Sequence, residues 1–84
     1  MFSVKKATVR LTIVNNSTAT IQRLYDYGIN FKLDEERLED PEKITHFLET
    51  FKKCGGKETK RWKYVDEDDL LIRHAVLYEY EVTF

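Results

Sequence analysis

Residues 70–84 read LLIRHAVLYEYEVTF, and this stretch decides the fold. Its even positions are Leu70, Ile72, His74, Val76, Tyr78, Tyr80, Val82 and Phe84. The odd positions from Arg73 onward are mixed: Arg73, Ala75, Leu77, Glu79, Glu81 and Thr83. Period-two alternation marks a strand with one buried face. An unbroken strand of this length would span roughly 50 Å, beyond the usual range. A bulge or short turn near residues 69–73 is therefore expected, followed by a strand of about ten residues. The even face is expected to be core.

Residues 3–14 alternate in the same way. Ala7, Val9, Leu11 and Ile13 share one face; Lys6, Thr8, Arg10 and Thr12 share the other. Asn15, Asn16 and Ser17 end this strand with turn chemistry. Residues 18–28 fit two descriptions. As a helix they would bury Ile21, Leu24 and Tyr25 and stop at Gly28. As a strand they would form a hairpin with residues 3–14, which Thr18, Thr20 and two tyrosines favour. Ile29, Phe31 and Leu33 either extend that strand past a Gly28 bulge or form a separate one.

A helix over 41–54 follows from local rules. Asp40 caps it, Pro41 takes the first position, and Glu42 favours the positive end of the dipole. Ile44, Phe47, Leu48 and Phe51 make one apolar face, and Gly55 terminates it. Residues 57–65 read as another strand, and residues 66–69 as an acidic turn. The expected fold is α+β: a small antiparallel sheet of about four strands with one long amphipathic helix on one face. The order is ββαββ, or βαβαββ if residues 18–28 are helical.

The chain has 84 residues, enough for one domain over 1–84. Five Phe, five Tyr and one Trp supply a core for so short a chain. Fourteen Lys and Arg against fifteen Asp and Glu give a net charge of −1, which argues against a generally basic nucleic-acid binder. One cysteine, Cys54, excludes an internal disulfide. No apolar run is long enough for a membrane span, and residues 1–6 lack the apolar region of a secretion signal. An intracellular protein, cytoplasmic or nuclear, is expected.

Catalysis would need Cys54, His46 or His74, but the two helix positions stand two turns apart and no nucleophile motif joins them. Cys54 reads as a small buried thiol. No metal or cofactor is expected: one Cys and two isolated His do not make a zinc site, and residues 66–69 lack the calcium-loop spacing. Gly55-Gly56-Lys57 follows a helix rather than preceding one, so it is no phosphate loop.

Two readings of function remain. The first is a non-catalytic protein-interaction module, a small regulator or inhibitor of the kind phages and viruses encode. Its contacts would come from Glu35, Glu36, Glu39, Glu79, Glu81 and Phe84. If the C-terminal strand is an edge strand, its free backbone groups invite a partner or a second copy, giving a homodimer. The alternative is single-stranded nucleic acid, RNA in particular, held by Lys57, Lys60, Arg61, Trp62, Lys63 and Tyr64. Against it stands the ordinary expectation that Trp62 and Tyr64 face the helix as core.

Overall fold

The computed structural model describes residues 3–84, so Met1 and Phe2, part of the secretion-signal reading, lie outside it. The elements are β1 (Lys6–Val14), β2 (Thr18–Asp26), β3 (Phe31–Leu38), α1 (Pro41–Lys53), β4 (Lys57–Val65) and β5 (Ile72–Thr83). One five-stranded sheet has the order β3-β2-β1-β5-β4, with every neighbouring pair antiparallel. The expectation of about four strands in the order ββαββ, or βαβαββ, is corrected to βββαββ. The fifth strand is β3. Its second half, Asp34-Glu35-Glu36-Arg37, is charged throughout and carries no apolar alternation. Charged residues are poor strand formers in isolation but suit an edge strand, where they discourage stray pairing.

The β1–β2 connection explains itself locally. The connection is the three residues 15–17, and Asn15 and Asn16 both have positive φ, 52° and 55°, as the two central positions of a type I′ turn require. The Ser17 N–H donates back to the Val14 carbonyl at 3.1 Å. Residues 18–26 are therefore strand, paired with β1 along their full length.

From the pairing directions, the two edge strands β3 and β4 run the same way. α1 connects them by crossing one face of the sheet. The Asp40 carboxylate accepts the Glu42 N–H at 3.0 Å at the start of this crossing. At its end Gly55 takes φ 86°, the Gly55 N–H donates to Lys52 and the Gly56 N–H to Phe51. That is a Schellman stop.

Thirteen residues of helix make roughly 20 Å, while the molecule is 48 Å long. The helix therefore covers only the middle of its face and is not a long lid. Ile44 and Phe51 are buried there against Val9, Leu11, Ile13, Ala19, Ile21 and Leu38, with Phe47, Leu48, Tyr78 and Tyr80 packed around them. Leu11 and Ile21 are fully buried at the centre.

The edges escape this cover. Seven of the eight β3 residues and eight of the nine β4 residues are exposed, so neither edge has a buried face.

Two expectations about residues 70–84 change. First, the even face is not uniformly core. Leu70, Ile72, His74, Val82 and Phe84 are exposed, because they lie beyond the helix at either end. The one fully buried residue of β5 is Ala75, from the odd face. Second, β5 is no edge strand: β1 and β4 flank it. Only Tyr80–Thr83 runs past the last β4 pair, Lys57 with Glu79, and is open on that side. A dimer through the whole C-terminal strand is thereby removed.

Candidate functional site

The sheet has one face under α1 and one open face, and register assigns each β4 residue to one of them. Residues paired across antiparallel strands project to the same side. Trp62 pairs with Ala75, and Ala75 with Val14, whose neighbour Ile13 belongs to the helix-covered core. Trp62 and Tyr64 therefore stand on the open face, away from the helix. The expectation that they form core against α1 is overturned. β4 lies past the reach of the helix, and Trp62 stands beside the buried Ala75 on the other face.

A bulge sharpens this arrangement. Glu58 pairs with Tyr78 and Lys60 with Leu77, so Thr59 is an extra residue. Lys57, opposite Glu79, and Lys60, opposite Leu77, both fall on the open face. Arg61 and Lys63, opposite Val76 and His74, fall on the helix side. The six residues expected to act together are thus split: Lys57, Lys60, Trp62 and Tyr64 together, Arg61 and Lys63 apart.

The Lys60 ammonium sits 4.7 Å from the Trp62 ring centroid, a cation–π contact. Arg61 is turned to Glu58, with Nε donating to Oε1 at 3.0 Å. That hydrogen bond raises the guanidinium above its ordinary pKa, with the Glu58 charge adding to it.

Next to this row lies a groove of about 320 Å³ on the same open face. Its walls include Thr12, Thr18, Thr20, Arg37, Tyr64 and Arg73. Hydroxyls, two guanidiniums and the Asp66 carboxylate line it. Arg73 is held by Asp66, Nε to Oδ2 at 3.4 Å, and by Asp69. Arg37 is 3.4 Å from Glu39, with both side chains well exposed. Sequence reasoning missed Arg37, Arg73 and the threonines as one surface. Their signal was the polar half of each alternation, Thr12 opposite Thr20 and Thr20 opposite Arg37, read only as the solvent side.

The acidic residues named for protein contact do not gather. Glu35 accepts from Gln22 Nε2 at 3.3 Å and Glu36 is 3.6 Å from Arg23, on opposite faces of β3. Glu79 accepts from Arg10 at 3.0 Å, and Glu81 lies 3.0 Å from Lys6. Each carboxylate already has an intramolecular partner. Phe84 is exposed, with its N–H donating to Lys5 at 2.9 Å.

Large apolar side chains gather at two other places. Ile29, Phe31 and Leu33 project from the β2–β3 end, and Val65, Leu70, Leu71 and Ile72 from the β4–β5 end. By the register these lie at diagonally opposite corners of the sheet. Sequence reasoning did not single out either group as exposed.

The remaining chemistry-bearing residues stay scattered. Cys54 is an exposed thiol at the helix C-cap, not the buried thiol expected, because the cap turns it outward. His46 and His74 are exposed. Asp66 and Asp69 cap the β4–β5 turn, accepting the Asp68 and Leu71 N–H groups at 2.9 and 3.0 Å. Among the described residues no three His, Cys, Asp or Glu gather as a metal-holding group, and no helix is long and apolar enough to cross a membrane. No family model matches this chain, and neither a curated protein nor a solved structure is significantly similar to it.

Proposed function

We propose that the protein is a non-catalytic protein-interaction module, a small regulator that docks through the two apolar corners of its sheet. One observation carries the reading: side chains suited to a core stand in solvent at both corners. Phe31 is 68% exposed and Leu33 58%, while Leu71 and Ile72 are each 57% exposed. Contiguous exposed apolar groups of this kind mark contact surfaces, since each buried square ångström returns about 25 cal/mol.

The open edges support the same reading. β3 and β4 each offer a row of unpaired backbone groups, as does Tyr80–Thr83 beyond the end of β4. Asp34 on one edge, and Lys60 and Lys63 on the other, form no ion pair among the described residues and would select partners by sign rather than drive affinity. The exposed thiol of Cys54 would stay reduced in a reducing, intracellular compartment, which is the setting proposed for this module.

Sedimentation from micromolar to millimolar protein, with and without candidate partners, tests the reading. Phe31→Ser/Leu33→Ser and Leu71→Ser/Ile72→Ser are compared with wild type, each checked for its fold by circular dichroism. The module reading expects a stoichiometric self- or hetero-complex that at least one double variant abolishes. A monomer throughout, or a complex indifferent to both variants, overturns it.

A further inference from the structure

We infer that the open face of β4 and β5 is a binding surface for single-stranded nucleic acid, separate from the apolar corners. Three features of the face converge on this ligand. Trp62 and Tyr64 present rings on one side of one strand. Lys57 and Lys60 flank them on that side, and neither has an acidic partner among the described residues. The adjoining groove continues the path with Arg37 and the hydroxyls of Thr12, Thr18 and Thr20.

The geometry selects an unpaired strand over a duplex. Same-face neighbours on a β-strand stand about 7 Å apart, twice the ~3.4 Å rise of stacked bases. Bases meeting Trp62 and Tyr64 must therefore be splayed, as only a single strand allows. Stacking on aromatic rings tolerates any base, and a cation beside the ring holds the phosphate chain. The Lys60 ammonium lies over the Trp62 ring, so a base that stacks there displaces it from the ring face to the adjoining phosphate.

The carboxylates on this face do not cancel it. Glu79 is engaged by Arg10, and Asp66 and Asp69 share Arg73 at the far end of the row, so the positive charge without an acidic partner on β4's open face, among the described residues, is that of Lys57 and Lys60. The net charge of −1 describes the whole chain, whereas binding reads the face.

Trp62 is the single tryptophan, so its fluorescence reports binding of a short oligouridylate directly. Quenching is expected, with affinity falling steeply between about 50 and 200 mM salt. The decisive comparison is Lys57→Ala/Lys60→Ala against Arg61→Ala/Lys63→Ala. Both remove two positive charges, but from opposite faces. The first should weaken binding at least about tenfold and flatten the salt slope; the second should leave it near wild type. Trp62→Leu keeps an apolar side chain beside Ala75 and should cost about ten- to a hundredfold, followed by anisotropy of labelled oligouridylate. Equal loss in the two lysine and arginine pairs overturns the proposal. So does absence of binding at low salt. Polyglutamate binding as tightly as oligouridylate also overturns it, because the face would then read acidic protein. The apolar-corner variants should leave oligouridylate affinity unchanged, so this proposal and the module reading fail separately.

Discussion

The Phe51 ring meets the Tyr80 ring edge-on, with centroids 4.9 Å apart and planes at 73°. This is where the last turn of α1 is fastened to β5. Phe51 is one of only two buried helix residues, so the helix depends heavily on it. Phe51→Ala should cost about 3–5 kcal/mol, a large part of the stability of a domain this size. Phe51→Leu should cost less, because much of the apolar volume remains. Urea unfolding of both variants checks the order, and a Phe51→Ala midpoint equal to wild type would show that the contact does not anchor the helix.

The same contact gives a dependence on alkaline pH. Burial raises the Tyr80 phenol above its ordinary pKa, with the neighbouring Cys54 charge adding to the effect. The unfolded phenol ionises near pH ~10, before the folded one does. Above that pH the unfolded state holds fewer protons, so stability falls as pH rises. The contribution is complete below about pH 10 and disappears as pH passes through the folded value. Tyr80→Phe removes it. Melting temperatures followed from about pH 8 to pH 11 should fall more steeply in wild type than in Tyr80→Phe. Parallel curves would remove Tyr80 as the cause.

Gly55 and Gly56 should fail for different reasons. Gly55 sits at φ 86° with nothing near an added Cβ. Gly55→Ala is a purely conformational penalty of about 1–2 kcal/mol, and Gly55→Asn should recover part of it. A Cβ on Gly56 would lie 2.7 Å from the Phe51 carbonyl oxygen and 3.0 Å from its carbon. Those are backbone atoms and cannot rotate away. The oxygen also accepts the Gly56 N–H bond that closes the helix. Gly56→Ala should therefore cost more than Gly55→Ala, and Gly56→Asn should recover nothing. Thermal melts of the four variants test the ranking.

What the sequence disclosed follows from how much each element is buried. β1 alternates between core and solvent, so Val9, Leu11 and Ile13 announce a strand. The helix ends are legible because Asp40, Pro41 and Gly55 act on backbone geometry alone, whatever the helix packs against. The start of β3 was legible in the alternation of Ile29, Phe31 and Leu33, but its second half was hidden because an edge strand with two exposed faces needs no alternation, and Asp34-Glu35-Glu36 obeys none. The extent of the buried even face of residues 70–84 was unreadable for a related reason. Periodicity tells which residues share a side, but not how far a helix of limited length extends over them. Trp62 and Tyr64 failed on the same point. Their alternation with Arg61 and Lys63 separates two faces without saying which one carries α1.

Thr59 offers the most direct control over that choice of face. β4 has nine residues and pairs against the eight from Ile72 to Glu79, with the surplus at Thr59. Deleting Thr59 leaves a regular ladder in which Lys57, Lys60, Trp62 and Tyr64 keep their partners. Deleting Arg61 also leaves eight residues for eight partners. In that variant Thr59 takes the place opposite Leu77, and Lys60 moves opposite Val76, onto the helix side. A one-residue shift moves a side chain to the other face, so the two deletions differ chiefly in where Lys60 stands. Both should fold, since each ladder is complete and the helix-covered core is untouched. Oligouridylate affinity should survive loss of Thr59 and drop at least about threefold on loss of Arg61, beyond what Arg61→Ala alone produces. Isotope-edited NMR of the Lys60 amide and its cross-strand partner would verify the two registers. If both deletions fold with those registers and bind alike, the face on which Lys60 stands is irrelevant to binding.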